Sequence, residues 1–367
     1  MKMKNTQTML SLIIILIIVL TSCDFPQNNN DNFIYTYPSI GDTFTIINMK
    51  THQVDNEVKM DLPDGLQLYG LCISSDKNHL IFAGFDASKT ENPICIVDYS
   101  ISKDTIESIY NTGIQCLAVP RIGTAILDNN DSKVYLYTHK NGLYVIDFNK
   151  KETTLISSEI DVAKYFYTFD DCSMTIIKKY ITSGFQSASY TEMEFYNNDS
   201  VLSHAEFILN QNDIDSVDVM DIAYSPQKNK IFITYLLSNG RSRNISAYFG
   251  SYDLETLEFS KGNFTFPWST RSYTISNSDL LDECYVAGEN DTVYVIDVSD
   301  DNYSMKDHII LSGKTGGPTT SILLEEENIA YFGCYNDNRV YIYNLKTRNI
   351  INQFYAERPY NFILAKK

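Results

Sequence analysis

Apolar residues in this chain come in short runs rich in Val, Ile, Tyr and Phe, each stopped by a cluster of polar turn formers. Runs of this kind, aromatic and β-branched with polar turns between them, favour strands over helices. One run, Val293-Tyr-Val-Ile-Asp297, has six relatives: Phe44-Thr-Ile-Ile-Asn48, Ile94-Cys-Ile-Val-Asp98, Leu143-Tyr-Val-Ile-Asp147, Met193-Glu-Phe-Tyr-Asn197, Phe249-Gly-Ser-Tyr-Asp253 and Val340-Tyr-Ile-Tyr-Asn344. Their closing Asp or Asn residues stand 50, 49, 50, 56, 44 and 47 residues apart. A period near fifty marks a radial or solenoid repeat.

Each period predicts four strands. After Asn48, a turn over Met49-Lys-Thr51 leads into an outer strand from Val54 to Leu62. Pro63-Asp-Gly65 makes a second turn before the apolar run Leu68 to Ile73. The turn Ser74-Ser-Asp-Lys-Asn78 precedes a strand over Leu80-Ile-Phe-Ala83, and a loop returns to the next copy at Ile94. The closing Asp or Asn has a mechanical role, since its side chain accepts backbone N–H groups two residues on and folds one strand into the next. Asn48-Met-Lys-Thr51, Asp253-Leu-Glu-Thr256 and Asn344-Leu-Lys-Thr347 repeat that turn, and Ser225-Pro-Gln-Lys-Asn229 repeats the one at Ser74. These residues resemble the YVTN and related WD40-like or TolB-like propeller repeats. The resemblance spans residues 33–367 and implies an all-β fold, a β-propeller of four-stranded blades.

Seven copies predict seven blades; six with a degenerate insertion is the alternative, because the 197-to-253 interval is stretched. Strand-like segments at both ends, Phe33 to Tyr37 and Tyr360 to Ala365, predict one blade completed by strands from both termini, which hides the edges a stack of sheets otherwise exposes. Two segments break the pattern. Ser158 to Tyr167 reads as one or two helical turns, and the acidic run Asp213, Asp215, Asp218 and Asp221 reads as a solvated connecting loop.

The N-terminus has a different character. Lys2 and Lys4 precede a twelve-residue apolar run from Met9 to Leu20 and then Leu20-Thr-Ser-Cys23. The run suits a signal-peptide core better than a membrane span of roughly 20 residues. Leu20 to Cys23 resembles the bacterial lipobox, which implies a signal peptide over 1–22, acylation (palmitate among the chains) at Cys23 and a flexible tether over 23–32. A single propeller domain then occupies 33–367, held by its anchor in the cell envelope, on the periplasmic face or the outer-membrane surface. Asp24 resembles an inner-membrane retention signal, and the leaflet stays open.

Without residues 1–22 the chain carries 27 basic and 46 acidic side chains, a formal charge of −19. That balance argues against nucleic acid as a partner. Cys72, Cys95, Cys116, Cys172, Cys284 and Cys334 sit mostly in strand-like runs without a Cys-x-x-Cys pair, so they read as small buried hydrophobes. No metal site and no cofactor is expected.

Ligands of propellers usually meet the face formed by the connections into the inner strands. On the repeat register, Tyr69, Asp221, Trp268, Arg271, Tyr273, Arg358 and Tyr360 stand there. Tyr and Trp offer flat amphipathic surface, and Arg suits a carboxylate or sugar acid. His52, His79, His139, His204 and His308 are scattered, and no Gly-x-Ser-x-Gly, His-Glu-x-x-His or phosphate-cradling loop is present. No catalytic residue is assigned. The favoured expectation is a non-catalytic binding or assembly module for a protein, peptide or glycan; the alternative is a propeller hydrolase such as a lactonase or sugar-acting enzyme.

Overall fold

A computed structural model describes residues 32–37, 42–89, 93–115, 122–127, 132–138, 142–157, 162–169, 172–183, 186–197, 200–206, 216–238, 245–256, 258–266, 272–288, 291–311, 317–359 and 361–366. Every regular element among these residues is a β-strand.

The strands fall into groups of four. Strands β1 (Asn32–Tyr37), β2 (Thr43–Asn48) and β3 (Gln53–Lys59) join β28 (Asn361–Lys366) in the order β28-β1-β2-β3. β4 (Leu66–Ile73), β5 (His79–Asp86), β6 (Pro93–Ser100) and β7 (Thr105–Gln115) form the next sheet, and β8 (Ile122–Leu127), β9 (Lys133–Thr138), β10 (Gly142–Asp147) and β11 (Glu152–Ser157) the third. β12 (Val162–Phe169), β13 (Cys172–Ser183), β14 (Gln186–Asn197) and β15 (Ser200–Glu206) are followed by β16 (Ser216–Ser225), β17 (Lys230–Ser238), β18 (Ile245–Asp253) and β19 (Phe259–Thr265). These two groups share one sheet through a single parallel bridge, Ser189 to Ser216. β20 (Ser272–Ser278), β21 (Glu283–Gly288), β22 (Thr292–Asp297) and β23 (Ser304–Ile310) make a further sheet, as do β24 (Thr320–Leu324), β25 (Ile329–Cys334), β26 (Arg339–Asn344) and β27 (Asn349–Tyr355). The leading strands touch in cyclic order: β4 to β8, then β12, β16, β20, β24, β28, and β28 back to β4.

Where side chains are described, the middle strands are largely buried on both faces. β21 and β25 are buried along their whole length, and β5, β6, β22 and β26 nearly so. Because side chains alternate across a strand, each middle strand supplies two cores. Tyr285 and Ala287 pack toward Phe332 and Tyr343, while Cys284 and Val286 pack toward Phe232 and Phe249. Every described core cluster lies between two successive sheets, including the one that joins Ile34 and Ile47 to Tyr331 and Val340. Outer strands are mostly exposed, as the pattern of β3 shows.

The closing Asp or Asn makes its turn at five of the seven repeats. Asn48 Oδ1 accepts the N–H groups of Lys50 and Thr51 at 2.9 and 3.1 Å, and Asn344 Oδ1 those of Lys346 and Thr347 at 3.1 and 2.7 Å. Asp147, Asp253 and Asp297 act in the same way. Asn197 ends β14; the exception is Asp98, treated below.

Two expectations are corrected. The segment from 162 is strand β12, paired with β13, and no helical turn occurs within the described part of 158–167. Its Tyr, Phe and Thr residues favour a pleated, half-buried surface, and the bulge between Ala163 and Tyr165 accounts for its broken alternation. Asp218 and Asp221 belong to β16 and not to a loop; Asp213 and Asp215 lie outside the described residues. Among the described cysteines, Cys95, Cys284 and Cys334 are buried free thiols and Cys72 is half-buried. Cys116 lies outside the described residues, as do residues 1–31.

β28 pairs with β1 over six residues, from Asn32 with Lys366 to Tyr37 with Asn361. Deleting residues 360–367 should therefore abolish cooperative unfolding, monitored by circular dichroism in urea. A truncated chain with a sharp two-state transition would contradict this.

Candidate functional site

Strand β6 runs two residues past the position at which its relatives turn, because Tyr99 is drawn into the core beside Phe44. Ser100, not Asp98, thus stands where the chain turns, and it pairs with Thr105 across the hairpin. Asp98 is left inside the strand, opposite Ile81. Its carboxylate Oδ1 meets Nδ1 of His79 at 2.9 Å, and Oε2 of Glu107 lies 3.9 Å from the same nitrogen.

The three side chains come from the adjacent strands β5, β6 and β7, and their ligating atoms all lie within 4.8 Å of one another. The Ser74 hydroxyl accepts the His79 N–H at 2.9 Å and donates to Asp76 at 2.5 Å, fixing the turn that delivers His79. Lys103 holds the other oxygen of Glu107 at 2.5 Å. Burial lowers the pKa of His79, but the Asp98 hydrogen bond and the charges of Asp98, Asp76 and Glu107 outweigh it, so the net shift is upward. A cavity of about 500 Å³ opens beside the cluster, walled by Ile81, Ile109, Tyr110 and, from the neighbouring sheet, Phe148 and Lys151.

The equivalent place between the β20–β23 and β24–β27 sheets is closed. Glu283 opens β21 as His79 opens β5, and its side chain is 1% exposed against 27% for His79. It accepts from Arg348 at 2.5 Å, Lys306 at 2.7 Å and the Tyr285 hydroxyl at 2.7 Å. Burial raises the Glu283 pKa, and these three donors more than reverse that, leaving it below the carboxylate norm. Arg348 comes from the turn after β26, the counterpart of Lys151 after β10. Lys230, opening β17, pairs with Asp301 of the next sheet's turn, and His52 reaches Tyr331 Oη at 2.6 Å. Among the described residues four such places lie between successive sheets; the one at Glu283 is sealed and the one at His79 opens on a cavity.

This socket lies on the edge carrying the β4–β5 and β6–β7 turns, opposite the edge expected from the repeat register. Of the residues expected there, Trp268, Arg271 and Tyr360 lie outside the described residues. Tyr69 sits in β4, next to a bulge, and Tyr273 is itself the extra residue of a bulge in β20. Arg358 is exposed, has a left-handed φ of 39° and sits 5.7 Å over the Tyr335 ring. Asp221 does structural work: its Oδ2 accepts the Ile275 N–H at 2.8 Å and ties β16 to β20. The residue keeps some exposed surface, yet its carboxylate lies deep among protein atoms, and that depth pushes its pKa up to about 7. Asp221 stands on the leading strand β16, whereas Arg358 lies in the connection between β27 and β28. His79, Asp98 and Glu107 were not singled out by sequence; the available signal was a charged or titratable residue opening the second strand at His79, Lys133, Lys230 and Glu283.

No protein-family model matches this chain, and neither does any curated protein. Solved structures do. Kuenenia stuttgartiensis hydrazine synthase is similar with a TM-score of 0.58 at 12% identity, over 83% of this chain and 89% of that one. Dihydro-heme d1 dehydrogenase NirN, in complex with DHE, has a TM-score of 0.55 at 9% identity, over 93% and 76%. Apo AztD from Citrobacter koseri has a TM-score of 0.51 at 9% identity, over 92% and 98%. Identities this low show the fold alone: the chain is an all-β, propeller-like protein.

Two outcomes follow. Arg348→Ala should cost about 3 kcal/mol in urea unfolding, because it strips a buried carboxylate of a partner, whereas Lys151→Ala should cost under about 1 kcal/mol; equal losses would refute the closed-versus-open distinction. Asp221 binds its proton more tightly folded than unfolded, so its contribution is fully present below about pH 4 and is lost as pH rises through about 7. Asp221→Asn should flatten the decline in stability between pH 5 and pH 8, and an unchanged slope would show that Asp221 is not its source.

Proposed function

We propose that this chain is a bacterial envelope lipoprotein, acylated at Cys23, tethered through residues 23–32 and carrying a seven-bladed propeller that binds a protein, peptide or glycan. The seven groups of four strands, the cyclic contacts of the leading strands and the β1–β28 pairing support a ring closed by both termini. The lipobox-like Leu20-Thr-Ser-Cys23 supports the anchor, and the charge of −19 speaks against nucleic acid. The observation that carries the binding reading is the open socket between the β4–β7 and β8–β11 sheets, whose apolar walls and few polar groups are what recognition sites offer. A rigid ring presenting such a site needs no chemistry of its own. A hydrolase is the second reading, favoured by the His79–Asp98 pair, an arrangement that orients a general base.

Labelling cells with a clickable palmitate analogue should tag the wild type and not Cys23→Ser, which should leave the membrane fraction; a labelled, membrane-bound variant would refute the anchor. A photo-crosslinker replacing Tyr110 should trap a partner in intact cells that the same probe at Ile351 does not. No trapped partner, with lactone turnover that His79→Ala abolishes, would favour the hydrolase.

A further inference from the structure

We propose that His79, Asp98 and Glu107 form a binding site for one divalent first-row transition metal ion, zinc foremost, with its remaining coordination position facing the cavity beside Tyr110 and Phe148. This goes beyond the binding-module reading and does not depend on it.

The donor set fits. One imidazole nitrogen and two carboxylate oxygens suit zinc and its neighbours; calcium and magnesium prefer oxygen alone, and copper(I) prefers sulfur. The geometry fits as well. Zinc bonds of about 2.0–2.1 Å place tetrahedral neighbours roughly 3.3 Å apart. The separations from His79 Nδ1, 2.9 Å to Asp98 and 3.9 Å to Glu107, bracket that distance. The Asp98 and Glu107 oxygens lie within 4.8 Å of each other, so rotation of side chains about a quarter exposed would close the set around an ion.

The three residues stand on neighbouring strands of one hydrogen-bonded sheet, so the site is largely preformed and binding orders little new chain. Lys103 grips the far oxygen of Glu107 and leaves the near one to the metal, as outer-shell partners of metal ligands do. Three protein ligands with a cavity at the remaining position is the pattern of a site that accepts water or a ligand, not of a sealed structural zinc.

Comparison within the molecule separates this cluster from ordinary scaffold electrostatics. At the corresponding place Glu283 is matched by two cationic side chains and is closed off from solvent. At His79 the pattern is reversed: two carboxylates converge on one imidazole, and Lys151, in the place of Arg348, stands on the cavity wall. A divalent ion would add positive charge where two carboxylates share one imidazole and Lys103.

The test uses the full chain in detergent, stripped with a chelator and titrated with zinc against a fluorescent zinc indicator. One equivalent should bind to the wild type. His79→Ala and the double variant Asp98→Asn, Glu107→Gln should each weaken binding by about 100-fold or more, since loss of a direct ligand should exceed the 10–100-fold cost of losing an outer-shell partner. His308→Ala, on exposed β23, should bind as the wild type does. Zinc should raise the melting temperature of the wild type and not that of the ligand variants. If a variant fails to fold, the cobalt(II) spectrum of the wild type decides, a tetrahedral nitrogen–oxygen signature supporting the site and a plain aqueous spectrum overturning it. Absence of stoichiometric zinc binding, or binding undiminished in folded His79→Ala, overturns the proposal.

Discussion

Burial of the middle strands on both faces is the constraint from which the rest of this structure follows. A strand such as β21, enclosed along its whole length, needs a sheet on each side. So does its neighbour β22, and β25 and β26 repeat the pattern. An open stack would present two apolar faces to water, at roughly 25 cal/mol for each Å² left exposed. β28 touches both β24 and β4, and it pairs with β1. Because each core cluster is shared by two sheets, a defect in one sheet is felt in both neighbours.

The turns between third and fourth strands add a second, polar layer of coupling. Those after β2, β22 and β26 send a side chain back to the preceding sheet: His52 to Tyr331, Tyr303 to Ser251, Arg348 to Glu283. His52, Lys151 and Arg348 all adopt left-handed φ values between 54° and 59°, which directs the chain out of the turn while the side chain reaches across. These contacts set the rotation of one sheet against the next with directional bonds, where the apolar layer is tolerant of small slides.

Most of the scaffold was legible because it depends on local chemistry repeated at a fixed spacing. An Asp or Asn after a β-branched run makes the same turn wherever the following residues are polar, and the spacing of seven such runs gave the strand groups. What failed were places where a non-local term overrode the local one. Asp98 has the same local context as Asp147, yet Tyr99 finds a buried position against Phe44, the strand continues, and the turn moves to Ser100. The stretch 158–167 alternates poorly because of a bulge, which an apolar pattern alone does not distinguish from a helical turn. His79 and Glu107 are 28 residues apart, and their meeting depends on the register of three strands; the sequence carries each residue but not the register.

The two-residue overrun of β6 links the scaffold to the chemistry. At Asn48, Asp147, Asp253, Asp297 and Asn344 the closing side chain is used up in its turn, with an oxygen taken by backbone N–H groups. In β6 the backbone no longer claims the carboxylate, and Asp98 is free to face His79. Placing a second carboxylate, Glu107, on the same imidazole gains the fold little, since exposed ion pairs are screened by water and like charges drawn together oppose folding. The neighbouring sockets show that the same backbone positions can be satisfied by one acid and matching bases. A position that the repeat elsewhere spends on stability is here spent on an open, acidic, histidine-bearing cleft. Function is therefore to be sought where the repeat departs from its own rule, on the turn face beside β5, β6 and β7.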